Sequence, residues 1–246
     1  MFVEFLSHYS GELGREMKIN RYGNHGVPIL VFPSSGGSHN EYADFGMIEA
    51  CRYFIDSGKV QFFTLSCIDS EAWLSFGKSA YDKMQAHQAY DRYIIKEAIP
   101  FIKHHSGYFD PMMVTGCSMG GYQSMNFFLH HPDVFNTVIA LSGIYNASFF
   151  VDHDADQPQI YQYFPQEFIW NQQDPWFLEH YRQANIIVCT GLGPWEQDGL
   201  PSFYALKEGF DTKGIATWFD VWGHDAAHDW SWWRKQKPYF LDKLNL

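Results

Sequence analysis

Six short apolar runs constrain the fold of this chain more than any other feature. They are VPILVFP (27–33), VQFFTLS (60–66), MMVTGC (112–117), TVIALSG (137–143), NIIVCTG (185–191) and ATWFDVWG (216–223). Most are apolar on both faces of an extended chain, which suits strands buried between two helical layers. Helix-like segments separate them at 81–105, 119–131, 202–213 and 229–244. In the first of these, Tyr90, Ile94, Ile95, Ala98, Ile99 and Ile102 fall on one helical face. Strands alternating with helices predict an α/β fold with a mostly parallel sheet and helices on both faces. Ahead of this region, residues 2–9 and 15–22 read as an antiparallel strand pair joined by a turn containing Gly11 and Gly14. In such sheets, ligands bind beyond the carboxyl ends of the strands.

The chain reads as a single domain over residues 1–246. Residues 144–184 break the alternation with three prolines, two tryptophans and weak periodicity. A long excursion between two strands suggests a lid or specificity insertion. Net charge is −11, from 17 Lys plus Arg against 28 Asp plus Glu, and there is no basic patch. This argues against nucleic acid and anionic membranes as partners. No apolar run has the length of a membrane span. The first residues carry an early Glu4 and do not read as a signal peptide. Cys51, Cys67, Cys117 and Cys189 are too few for a disulfide scaffold in a chain of 246 residues. Together these features predict a cytoplasmic protein. Aromatics are 19% of residues, enough to line a small-molecule pocket as well as the core, and the excess would also fit a homodimer.

The third run leads into Gly116-Cys117-Ser118-Met119-Gly120, and a helix-like stretch follows at once. G-x-S-x-G alone arises by chance in roughly one chain in ten of this length. The strand before it and the helix after it give the context of a nucleophile elbow, where a serine is lifted from a tight, strained turn. A serine hydroxyl needs a base, and the base needs an acid to orient it. In this fold class the order is Ser, then Asp or Glu, then His. The acid should follow NIIVCTG, where Glu196 and Asp198 stand; Glu196 is nearer the strand end and is preferred. The base should follow the last run, where His224 and His228 stand; His228 opens the final helix-like segment and is preferred. His224-Asp225-x-x-His228-Asp229 also resembles a metal site, but Gly223 and the strand before it disfavour one helix across both histidines.

An oxyanion hole requires two N–H donors aimed at the developing charge. One is expected from Met119, the other from Ser35 or Gly36 in the loop Pro33-Ser34-Ser35-Gly36-Gly37-Ser38. That loop contains neither glycine-rich nucleotide motif.

The residues VFPSSGG, GCSMGGYQSMNFFLHHPDVF, ALSGIY, GPWEQ and HDWSWW resemble the "putative esterase" family of α/β-hydrolases. That family includes the esterase D (S-formylglutathione hydrolase) and mycolyltransferase branches. The resemblance covers most of the chain beyond residue 27. It implies an α/β-hydrolase fold with Ser118 as nucleophile, Glu196 as acid and His228 as base, and it strengthens Glu196 over Asp198. Two departures stand out: PSSGG replaces the common HG-type oxyanion motif, and 144–184 matches no branch. The expectation is a serine esterase acting on a small-molecule acyl ester or thioester through an acyl-enzyme, without a cofactor. The rivals are an acyltransferase using the same residues and a non-catalytic α/β-hydrolase scaffold.

Overall fold

Each of the six apolar runs forms a strand in the computed structural model, which describes residues 1–151, 157–244 and 246. These strands are β3 (Val27–Phe32), β4 (Val60–Leu65), β5 (Met112–Cys117), β6 (Phe135–Leu141), β7 (Asn185–Thr190) and β8 (Trp218–Val221). The expected N-terminal pair is β1 (Val3–Ser10) and β2 (Arg15–Tyr22). Its register runs from Val3 opposite Tyr22 to Ser10 opposite Arg15. The turn closes with the Gly14 N–H donating to Ser10 O at 2.9 Å. Gly14 takes φ 65°, a left-handed conformation that suits glycine.

All eight strands form one sheet in the order β1-β2-β4-β3-β5-β6-β7-β8. The β1–β2 and β2–β4 pairings are antiparallel. Every pairing from β4 through β3, β5, β6 and β7 to β8 is parallel. The parallel strands all present their carboxyl ends at one edge.

Both faces of the sheet are covered, and alternate strand residues show it. Leu30 and Phe32 of β3 join one apolar core, with Met112 and Val114 of β5. Their neighbours Ile29, Val31, Met113 and Cys117 join the opposite core. The side chain period of two thus delivers each run to two interiors. The first core is roofed by α4 (Ala80–Tyr93), α5 (Ile99–Ser106), α6 (Met119–His130) and α11 (Leu200–Thr212). The second is roofed by α1 (Glu41–Asp44), α2 (Met47–Ala50), α3 (Arg52–Asp56) and α12 (Trp230–Lys243).

The segment 144–184 contains α7 (Ser148–Val151), α8 (Pro158–Tyr161), α9 (Pro165–Asn171) and α10 (Pro175–Gln183). Residues 152–156, part of the expected lid, lie outside the described residues. Phe150, Val151, Ile160 and Phe164 of this segment pack on Trp73 and Tyr122 in a third apolar cluster.

Two local features differ from expectation. The stretch 81–105 is not one helix: a π-helical turn, Ile94–Ala98, joins α4 to α5. Pro100 explains this, because it lacks an N–H and its ring crowds the carbonyl four residues back, so the chain takes a wider turn there. Also, β6 begins at Phe135 and ends at Leu141, earlier at both ends than 137–143. Ser142 and Gly143 therefore leave the sheet at its carboxyl edge. Among the described residues, no helix is long and apolar enough to cross a membrane.

Candidate active site

Ser118 sits at the turn between β5 and α6 with φ 57° and ψ −120°. A serine held there carries roughly 1–3 kcal/mol of backbone strain. Three glycines make the turn sterically feasible. A Cβ on Gly116 would stand 2.2 Å from Gly120 O, one on Gly120 2.3 Å from Phe32 O, and one on Gly121 2.6 Å from Leu141 O. Backbone bonds then fix the turn: Ser118 N–H donates to Leu141 O at 2.9 Å, and Gly121 N–H donates to Ser118 O at 2.8 Å.

The Ser118 Oγ lies 2.9 Å from His228 Nε2. His228 Nδ1 lies 3.3 Å from Glu196 Oε2. The chain thus brings together three residues drawn from the ends of β5, β7 and β8. Two loops are knitted to achieve this. Gly193 N–H donates to Ala226 O at 2.9 Å, and His228 N–H donates to Pro194 O at 3.0 Å. The approach is close enough that a Cβ on Gly191 would meet Ala226 O at 2.0 Å. Any side chain at that position would push apart the loops that carry Glu196 and His228. Asp229, the next residue, caps α12 by accepting from Ser231 N–H at 2.7 Å.

Glu196 is 2% exposed, so its carboxylate depends on hydrogen bonds for stability. Ser142 Oγ–H donates to Oε1 at 2.6 Å. Thr190 Oγ1–H donates to Oε2 at 3.2 Å. Trp233 Nε1–H in turn donates to Ser142 Oγ at 3.0 Å. Because the indole can only donate, the Ser142 oxygen accepts from it and turns its own proton toward Glu196. Ser142 achieves this from φ 51°, another left-handed non-glycine conformation. The Trp233 ring also packs edge-on to His228, with centroids 5.0 Å apart. The roles of Ser142, Thr190 and Trp233 were not foreseen from the sequence, although Ser142 and Trp233 lie within ALSGIY and HDWSWW. A signal existed for the first two: both are hydroxyl residues at the carboxyl end of a strand, where this fold class binds ligands.

Neither Asp198 nor His224 joins the path from Ser118 through His228 to Glu196. Asp198 is exposed and lines the cavity beside Ser118 without an acid–base contact to His228 among the described residues. His224 is exposed in a turn, and residues 222–229 are not helical, so the two histidines do not share a helix face. Cys117, immediately before Ser118, is buried, and burial pushes its thiol up to about 11. It remains a neutral thiol beside the hydroxyl.

Ser118 and His228 open onto a cavity of about 190 Å³. Leu74, Tyr122, Ile144, Phe149 and Phe150 supply apolar walls. Trp195 also borders it, 83% exposed and held at φ 69°. The expected oxyanion residues flank the same space. Met119 and Ser35 line the cavity. Met119 starts α6, where amides lack intrahelical acceptors. Gly36, after Ser35, turns the loop with φ 68°. Among the described residues, no group of three or more His, Cys, Asp or Glu side chains is placed to hold a metal ion.

Comparison with known proteins identifies the family. The model of the family described as "Putative esterase" matches residues 10–238. No curated protein sequence matches the chain. Among solved structures, a ferulic acid esterase superposes with a TM-score of 0.77 at 16% identity, covering 98% of this chain and 96% of its own. An S-formylglutathione hydrolase from Agrobacterium tumefaciens gives 0.74 at 16% identity, covering 98% and 93%. MPT51 from Mycobacterium tuberculosis gives 0.68 at 17% identity, covering 99% and 97%. At such identities these structures establish the shared α/β-hydrolase fold, and the family resemblance drawn from the sequence is borne out. The chain belongs to the esterase family that the model describes, and is a carboxylic ester hydrolase.

Proposed function

We propose that this protein hydrolyses a small acyl ester or thioester through an acyl-enzyme formed on Ser118. Ser118 Oγ attacks the carbonyl carbon while His228 Nε2 takes its proton. Glu196 orients the imidazole and stabilises the imidazolium that forms. The developing oxyanion is held by the Met119 amide and by the Ser35 or Gly36 amide. His228 then donates its proton to the departing alcohol or thiol. Water, deprotonated by His228, releases the acid and regenerates Ser118. No step calls for a cofactor.

The observation that carries this reading is the continuous hydrogen-bonded path from Ser118 Oγ, 2.9 Å to His228, and from His228, 3.3 Å to Glu196. The cavity supports a small, apolar acyl group, since its walls are aromatic and aliphatic and its volume is about 190 Å³. Phe149 and Phe150 belong to the 144–184 segment, so we assign that segment a role in specificity. The free cysteines Cys51, Cys67, Cys117 and Cys189 fit a reducing, cytoplasmic setting.

The test is Ser118→Ala with a short p-nitrophenyl ester. Loss of the nucleophile should lower kcat on the order of 10⁴-fold or more. Undiminished hydrolysis would remove Ser118 from the mechanism.

A further inference from the structure

The loop Pro33-Ser34-Ser35-Gly36-Gly37 is built of small residues, which do not hold a single conformation unaided. A buried carboxyl group grips it from beneath. Glu41, at the start of α1, is 7% exposed. Its Oε2 accepts the Ser34 N–H at 2.7 Å, and its Oε1 accepts the Ser34 Oγ–H at 2.5 Å. Gly37 lies flat on the same group: a Cβ there would stand 2.4 Å from Glu41 Oε1. The Gly37 N–H closes the turn onto Ser34 O at 2.9 Å. Cys67 Sγ adds a donor to Gly37 O at 3.3 Å. Ser35 and Gly36 are therefore suspended between two residues that Glu41 pins.

The adjacent residue of α1 reaches the other side of the site. Tyr42 is buried, and its hydroxyl lies 3.5 Å from the Sγ of Cys117, which precedes Ser118. Between the two sides, Gly120 abuts the carbonyls of Phe32 and Pro33. One short helix thus sets the spacing between the Ser34–Gly37 loop and the nucleophile turn. Burial raises the Glu41 carboxyl above its usual range, against the hydrogen bonds from Ser34 that lower it.

We infer that Glu41 is a positioning residue for ester hydrolysis, holding the Ser35 and Gly36 amides at the oxyanion side of Ser118. The inference rests on the assignment of those amides and of Ser118 proposed above. Glu41→Gln keeps the side chain's size but leaves an amide facing one of the two Ser34 donors. Removing an oxyanion donor costs about 10²–10³-fold in kcat, and displacing one should cost about 10²-fold. Because the effect falls on the transition state, KM should change by less than about threefold. Affinity for a trifluoromethyl ketone, whose serine adduct places an oxyanion at the same point, should fall in parallel with kcat.

A Glu41→Gln enzyme with kcat and ketone affinity near those of the parent would overturn the inference. So would a fall in kcat with unchanged ketone affinity, which would reduce Glu41 to a structural role. If Glu41→Gln does not fold, Ser34→Ala decides: it retains the N–H bond and should lose about tenfold in kcat, the worth of one hydrogen bond, with KM unchanged. A Ser34→Ala enzyme at parental kcat would equally overturn the inference. Ser118→Ala separates the two levels. Activity in that variant would sink the nucleophile assignment, whereas an inactive Ser118→Ala beside a fully active Glu41→Gln would sink only the inference.

Discussion

Ser142→Ala removes one hydroxyl from between two buried groups, Glu196 Oε1 at 2.6 Å and Trp233 Nε1 at 3.0 Å. The lost bond to the carboxylate is worth about 1.5–3 kcal/mol. The indole N–H, left without its acceptor, adds a desolvation penalty of about 1–3 kcal/mol. The two losses share one hydroxyl and do not add fully, so a net destabilisation of about 3 kcal/mol is expected. Backbone strain does not offset it, because alanine at φ 51° is no easier than serine. For a domain of this size each kcal/mol lowers Tm by about 2–4 °C, so differential scanning calorimetry should find a drop on the order of 10 °C. Catalysis should suffer separately. If half of the lost bond acts when the proposed acid Glu196 supports the imidazolium, kcat/KM falls about three- to tenfold, since 1.4 kcal/mol is a factor of ten. Thr190→Val cuts the longer 3.2 Å bond to the same carboxylate and should cost less by both measures. Unchanged Tm and unchanged kcat/KM in Ser142→Ala would refute the claim that this hydroxyl holds the acid. A lower Tm at full activity would refute the catalytic half alone.

Two further predictions concern strain and buried charge. Ser118→Gly and Ser118→Ala both lose the proposed nucleophile, but glycine tolerates φ 57°, so the Gly variant should unfold about 2–4 °C above the Ala variant; the reverse order would mean that the elbow is not strained. Lys237 is fully buried, with Nζ donating to Thr115 Oγ1 and, at 3.4 Å, to Ile139 O, and burial lowers its ammonium from 10.5 to about 8. Below pH 8 both folded and unfolded states are protonated and the folded state carries the full penalty, of about 3 kcal/mol. The penalty fades as pH rises from 8 toward 10.5. Lys237→Met should therefore be more stable than the parent at pH 7, with the gap narrowing above pH 8; urea titrations that find the variant weaker at pH 7 would show that the lysine's hydrogen bonds outweigh its burial.

Much of the architecture was legible because it depends on local period and on glycine. Runs such as MMVTGC can be satisfied only by burial on both faces, and the alternation of Met112 and Met113 between two cores is what such a run requires. The elbow was legible because Gly116, Gly120 and Gly121 are positions where no side chain fits. The π-helical turn before Pro100 was not, since the helical period there reads continuously through a proline that only backbone geometry punishes. The groups around Glu196 and beneath the Ser34–Gly37 loop were equally hidden. Ser142 and Glu196 are 54 residues apart, and nothing in either neighbourhood names the other.

Residue types and their order along the chain were enough to specify a parallel sheet, a serine at a strand–helix turn, and an acid and a histidine after later strands. Those are properties of single segments, set by side chain period, glycine and chain order. Tertiary structure decided the rest. It chose Glu196 over the exposed Asp198 as the partner of His228, by knitting the loops through Gly193, Pro194 and Ala226. It placed Trp233, Ser142 and Thr190 behind Glu196, and Glu41 under the loop beside Ser118. The physical reason is range: a hydrogen bond or a close backbone approach is made across space, and its partners become neighbours only when the sheet has brought its carboxyl ends to one edge.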